Sequence, residues 1–232
     1  MATIAGPITF ETGDLSQWGN GTFTNVYSLA AVAGAARNGS YGMRATAASA
    51  SDTAGYAIGI QNFTTPATLV TVLEAEMRFS SWTSGGYDAA GSKAVLFLGV
   101  AGVNDAAWLG VRASSTLELC YNHSINGATA SGITLALTVN TWYRHRLIYN
   151  KTAGSVTWKY STDGGANWTT AGTVSANVAA LNVDQAIAGI VHMTNFEKAQ
   201  YTVDIDDVTA FDAEPSSGGA AKQQTLALLG VG

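Results

Sequence analysis

Glu74 and Glu76 lie two residues apart in 69–79, a stretch in which side chains alternate between two faces. Leu69, Leu73, Ala75, Met77 and Phe79 form one face; Val70, Val72, Glu74, Glu76 and Arg78 form the other. Two carboxylates on one face are the groundwork of glycosidic-bond chemistry, which in retaining enzymes holds them about 5 Å apart. Arg144 and Arg146 share a face of their own stretch, so cross-strand pairing with Glu74, Glu76 and Arg78 is the competing use of these charges. A second constellation is Ser161-Thr162-Asp163-Gly164-Gly165-Ala166-Asn167-Trp168. There Asp163 can accept from turn amides, the two glycines permit positive φ, and Trp168 can pack over a hairpin. A third is Asp206-Asp207, where the alternation Tyr201, Val203, Ile205 slips phase to Val208 and Ala210. A β-bulge at that point would turn one carboxylate into a local site.

Other chemistries lack their residues. His123, His145, His192 and Cys120 show no zinc-ligand spacing, and no G-x-S-x-G, P-loop or H-E-x-x-H pattern occurs. Cys120 is the one cysteine, which excludes an intrachain disulfide and leaves it the expected role of a buried small hydrophobe. Eleven Lys and Arg against 16 Asp and Glu give a net charge of -5, the wrong balance for binding a phosphate backbone. Charged residues are 12% of the chain, half of the usual share of about 25%. Hydrophobic residues reach 47%, enough for a large core, yet no apolar run approaches the roughly 18 residues of a membrane span. Residues 1–9 lack the charged start and apolar middle of a signal peptide. The expectation is that either a leader has been removed or the protein is made in the cytosol and leaves by another route.

No apolar 3.6-residue pattern persists for four turns, whereas short stretches rich in Val, Thr, Tyr and Trp recur between turn residues. Strand-like sequence begins at 7–11. Further candidate strands are 23–27, 41–47, 56–60, 69–79, 94–100, 108–112, 117–121, 142–149, 156–161, 186–193 and 201–211, with 29–36 a loop or weak strand. A dozen short strands predict an all-β, two-sheet antiparallel sandwich or jelly roll over 1–214. Residues 215–232 read as a Gly/Ser linker followed by an apolar tail, in which Leu226, Leu228, Leu229 and Val231 are candidates for contact with a partner, a neighbouring copy or the parent domain.

Four segments together resemble the concanavalin A-like lectin/glucanase superfamily, in its laminin-G-like and MAM-like branches. They are 10–18, beginning Phe10-Glu11-Thr12-Gly13-Asp14; Arg37-Asn38-Gly39-Ser40-Tyr41-Gly42-Met43-Arg44; Asn140-Thr141-Trp142-Tyr143-Arg144-His145; and Val203-Asp204-Ile205-Asp206-Asp207-Val208. The resemblance implies a structural calcium ion held by Glu11 with Asp206 or Asp207, a cation that takes six to eight hard oxygens. The alternative is that Glu11 caps a turn and Asp207 hydrogen-bonds backbone without an ion. Glucanases of the superfamily carry E-x-D-x-x-E. Here the middle acid is Glu76 and the last position is Phe79, on the opposite face, so the expectation is a protein that is not an enzyme. The 161–168 motif is similar to the Asp-box of sialidase propellers, but a single copy is read as a hairpin staple.

Sugar binding usually needs an aromatic platform beside amides and carboxylates. Trp82, Tyr87, Trp108, Asn122 and His123 are the candidates, with Trp82 the expected exposed ring and Trp18, Trp142 and Trp158 assigned to packing. The function expected is a non-catalytic structural or interaction subunit, a bacteriophage virion component on the particle surface (head decoration or tail). It would contact other virion proteins or its own copies and have a capacity for glycans. The alternative is a carbohydrate-binding module of a secreted bacterial polysaccharide-degrading protein.

Overall fold

The computed structural model describes residues 1–23, 27–47, 55–83, 93–99, 106–113, 117–125, 128–175, 182–192 and 200–215. Its strands among these are β1 (Thr3–Ile8), β2 (Asn20–Phe23), β3 (Tyr27–Val32), β4 (Gly42–Ala47), β5 (Gly55–Asn62), β6 (Val70–Thr83), β7 (Lys93–Gly99) and β8 (Ala106–Ala113). They continue as β9 (Leu117–Ile125), β10 (Ala128–Ala136), β11 (Tyr143–Asn150), β12 (Ser155–Ser161), β13 (Thr169–Ser175), β14 (Gln185–His192) and β15 (Gln200–Phe211). One sheet runs β13-β12-β11-β6-β15-β4-β3, with β1 added beside β15; the other runs β10-β9-β8-β7-β14-β5-β2. All pairings are antiparallel. The predicted two-sheet sandwich is the fold observed.

The alternation in β6 sets the layers. Leu73, Ala75, Met77 and Phe79 point inward and are at most 2% exposed, meeting Leu147 and Tyr149 of β11, Trp158 of β12 and Val203 and Ile205 of β15. From the second sheet come Ala57, Leu98, Ala186, Ala188 and Ile190. Trp18 and Trp158 are buried as expected. Emptying a site the size of Trp158 would cost about 3–5 kcal/mol.

Several boundaries differ from the sequence reading. Leu69 leaves the strand pattern: it sits at φ 59 in the turn before β6 and is 40% exposed. The first strand ends at Ile8, and Phe10, at φ 60, swings the chain into a turn that carries Glu11. Residues 29–32 belong to a regular edge strand, β3, followed by a 3-10 turn at Ala33–Ala35. Strands β10 and β13 were missing from the sequence reading: β13 (TTAGTVS) has Val174 as its one large apolar residue, and in β10 Ile133 and Leu135 come only after the small residues of 128–132. The bulge was legible: β15 shifts register against β6 between Asp206 and Thr209, with Asp207 at φ 50. Beyond the bulge β15 pairs with β1, and before it with β4.

Candidate functional site

The outer face of the first sheet carries the charges that composition made scarce. Cross-strand register places them in rows: Arg44–Asp204–Arg78 across β4, β15 and β6; Asp206–Glu76–Arg144 across β15, β6 and β11; Thr209–Glu74–Arg146–Lys159 across β15, β6, β11 and β12. A fourth row is apolar, with Val72, Ile148 and Phe211 buried together.

Glu74 sits between two guanidinium groups. Arg146 Nε donates to Oε1 at 2.6 Å and Arg144 Nη2 lies 2.9 Å from Oε2. Asp204 is held likewise, with Arg44 Nε donating at 2.6 Å to one oxygen and Arg78 Nη2 at 2.6 Å to the other. This contact raises the Arg44 pKa, chiefly through the hydrogen bond to Asp204. Glu76 has its nearest cation, Arg144, at 3.7 Å, and burial pushes its carboxyl up, partly offset by Arg144 and Arg37. Glu74, Glu76, Asp204, Asp206 and Arg146 are each at most 3% exposed. Cross-strand pairing was therefore the right reading for Glu74, Glu76, Arg144 and Arg146, whereas Arg78 pairs with Asp204.

Three segments frame this face. The turn after β3 sends Gly34 O to Arg78 Nη2 at 2.6 Å and to Arg44 Nη2 at 3.2 Å. Trp142, assigned to packing, is only partly buried and lies against Arg78, whose Cζ is 4.8 Å from the ring centre. At the opposite end Arg146 Cζ lies 4.0 Å over the Trp168 ring, and Arg146 Nη1 donates to Glu214 Oε1 and to Pro215 O, each at 3.2 Å. Lys159 Nζ also donates to Glu214 Oε1.

The Asp-box reading holds at the level of atoms. Ser161 Oγ donates to Asp163 Oδ1 at 2.6 Å and accepts from Gly165 N at 2.9 Å. Asp163 also accepts from Asn167 N at 2.9 Å, and these bonds, led by the one from Ser161, hold its carboxyl down at about 2. The staple serves to place Trp168 beneath Arg146.

Glu11, Asp206 and Asp207 do meet around one turn, but as acceptors of its hydrogen bonds. Glu11 accepts from Ser40 N at 2.9 Å and Tyr41 N at 3.2 Å; a Cβ on Gly39 (φ 71) would sit 2.3 Å from Glu11 Oε1. Asp206 Oδ2 accepts from Arg37 N at 2.8 Å and Asn38 N at 3.0 Å, Oδ1 from Asp207 N at 2.8 Å, and Asp207 from Asn38 Nδ2 at 2.6 Å. Burial raises the Asp206 carboxyl to about 6. Each of the three carboxylates accepts hydrogen bonds of the turn, and among the described residues no three His, Cys, Asp or Glu side chains group as metal ligands. The arrangement gives each carboxylate a role in the turn without an ion, as in the alternative to the calcium ion expected there.

Of the ligand candidates, Trp82 is no open platform. It packs against the core with its ring centre 5.9 Å from that of Tyr201, and its Nε1 is buried without a hydrogen-bond partner. The alternation that puts Arg78 outside would put Trp82 outside as well, but the register shift between Thr202 and Val203, which skips Ser80, turns Trp82 to the core. Trp108 and Asn122 occupy facing positions on β8 and β9, with His123 next to Asn122; their side chains lie outside the described residues. Tyr87 and the tail residues Leu226, Leu228, Leu229 and Val231 also lie outside them, as does the Cys120 side chain. Arg44, Asp204 and Glu214 had no site role in the sequence reading, and Trp168 had only that of a hairpin staple. For Asp204 the signal existed, since it alternates with buried Val203 and Ile205.

The paired antiparallel sheets define a jelly-roll β-sandwich of the concanavalin A-like kind. The chain belongs to the family described as SO2946-like, C-terminal domain, whose model matches residues 40–206. Among solved structures it is similar to the catalytic domain of a glycoside hydrolase family 131 protein from Coprinopsis cinerea, at 13% identity and TM-score 0.62, over 94% of this chain and 98% of that one. It is similar also to an endo-beta-1,4-glucuronan lyase from the fungus Trichoderma reesei, at 14% identity and TM-score 0.55, over 85% and 92%. A sialidase aligns at 10% identity and TM-score 0.55 over 90% of this chain but 18% of its own length. No curated protein sequence matches the chain. These likenesses establish the fold.

Proposed function

We propose that the protein is a non-catalytic interaction module with a capacity for glycans, working as part of a larger assembly. The observation that carries this reading is the state of the outer-face acids. Glu74 and Asp204 are each held by two arginines, Asp206 by three amide hydrogens, and all are buried. A general acid or nucleophile has to reach the bond it breaks. A glycan ligand is compatible with the fold, which a glycoside hydrolase, a glucuronan lyase and a sialidase also carry.

The assembly we favour is a bacteriophage virion, with the module on its surface and its apolar tail against other virion proteins or its own copies. The low content of charge, which suits a surface covered by neighbours, and the tethered Leu226, Leu228, Leu229 and Val231 support this setting. Mass spectrometry of particles purified from the native source tests it: the chain in stoichiometric amount is expected, and its absence from particles would overturn it. The second reading is a carbohydrate-binding module of a secreted bacterial polysaccharide-degrading protein. It is favoured by the family's description as a C-terminal domain, hence as an appended unit. Retention on one insoluble polysaccharide, without any particle, would select it.

A further inference from the structure

We propose that Arg146 and Lys159 form a subsite for the carboxylate of a uronate-bearing polysaccharide, and that the chain's own Glu214–Pro215 segment fills it in the free protein. The inference deepens the glycan-binding reading and rests on it.

The first ground is charge. Arg144, Arg146 and Lys159 face two carboxylates from the sheet, Glu74 and Glu76, and the third negative charge comes from Glu214. The Arg146 side chain is 4% exposed and Glu74 holds its Nε, so it is Nη1 that needs an acceptor wherever the segment goes. The Glu214 side chain is 37% exposed, and ion pairs so open to water are weakly held. A buried cation beneath a loosely held anion favours exchange of that anion for another. A neutral sugar could replace the hydrogen bonds to Arg146 Nη1 but not the charge of Glu214.

The second ground is the pattern of acceptors. One nitrogen, Arg146 Nη1, donates to a carboxylate oxygen and to a neutral carbonyl oxygen, both at 3.2 Å. A uronate presents the same pair, a carboxylate beside a ring or hydroxyl oxygen. Trp168 acts as a positioning residue, its ring lying 4.0 Å from Arg146 Cζ and fixing the plane of the guanidinium.

The third ground is the surface alongside. Lys159 faces Thr170, and Thr157 faces Thr173 with their hydroxyls 2.9 Å apart. Ser155 faces Ser175 on the same side. This run of hydroxyls suits a polyol chain better than the apolar side chains of a peptide. The segment itself need move little. Asp212 stays pinned by its N–H to Ala2 O at 3.1 Å and by Thr68 Oγ1 donating to its carbonyl, so the displacement starts after it.

The test is calorimetry on the full chain with a short oligogalacturonide, its methyl ester and a poly-glutamate peptide as probes. Wild type should bind the acid and not the ester, and binding should weaken with salt. Glu214→Gln, which removes the competing charge, should tighten binding about two- to fivefold, and Lys159→Gln should weaken it by a similar factor. Equal binding of acid and ester, no binding by Glu214→Gln, or an unchanged affinity in Lys159→Gln would overturn the subsite. Peptide binding as tight as that of the uronide, with the same response to both variants, would overturn the sugar as occupant. Cleavage of a uronide that binds in this manner would support the subsite and contradict the non-catalytic reading.

Discussion

Arg146 Nε lies 2.6 Å from Glu74 Oε1, across facing positions of β11 and β6, and both residues are only 3% exposed. A buried pair of this kind adds little to stability against an apolar pair of similar volume, yet losing one member strands the other. Arg146→Met alone should cost about 3–5 kcal/mol in denaturant unfolding. The double variant Glu74→Met/Arg146→Met should recover much of that loss. A double variant as unstable as the sum of the single ones would show that the two side chains do not act as a pair.

The Asp-box turn makes a sharper comparison. Gly165 has φ 94, and a Cβ there would meet Arg144 Cδ at 3.0 Å and Trp168 Cζ2 at 3.2 Å; Gly164 has φ 71 with nothing within 4 Å. Gly164→Ala should cost about 1 kcal/mol of backbone strain. Gly165→Ala should cost about 2–3 kcal/mol, since crowding is added to strain. Thermal unfolding of the two variants side by side checks the order, which equal losses would refute.

Around Glu11 the account predicts a turn clasp that is indifferent to chelators. Glu11→Ala should lower stability by about 1 kcal/mol by releasing the Ser40 and Tyr41 amides. The wild-type melting temperature should be the same with and without EDTA. A drop on chelation that Glu11→Ala abolishes would restore the calcium ion.

Two buried groups pull stability in opposite directions with pH. His145 accepts a hydrogen bond from Trp158 Nε1 at 3.2 Å, its Nε2 is buried without a hydrogen-bond partner, and burial lowers its pKa from 6.5 to about 3. The unfolded chain then takes up the proton first, so stability is lost as pH falls from 6.5 towards 3. Asp206, raised from 3.8 to about 6, binds its proton more tightly in the fold, so its contribution grows as pH falls through 6 towards 3.8. His145→Asn should flatten the acid loss and Asp206→Asn should steepen it, read as melting temperature against pH. The reverse pair of slopes would contradict both assignments.

Alternation carried most of the fold, because a side chain's face on a strand follows from its parity. Leu73 to Phe79, Val156 to Tyr160 and the slip at Asp206 were all legible on that rule. Parity says nothing about which strand lies alongside, so the partner of Arg78 was out of reach of the sequence. Asp204 reaches it from the neighbouring β15, 126 residues away. Trp168 was read correctly as part of a staple, but its place beneath Arg146 depends on β11 and β12 being neighbours. Glu214 was the least legible of all. It follows the last strand, and its partners Arg146 and Lys159 belong to two others.

The central claim is that the buried acids of the outer face hold the sheet together and do no chemistry. It is tested most directly by incubating the purified chain with a panel of neutral and acidic polysaccharides and analysing the supernatant for oligosaccharides by mass spectrometry. The account predicts binding to at least one acidic polymer and no products, for wild type and for Glu76→Gln alike. Products from wild type that vanish in Glu76→Gln would contradict it.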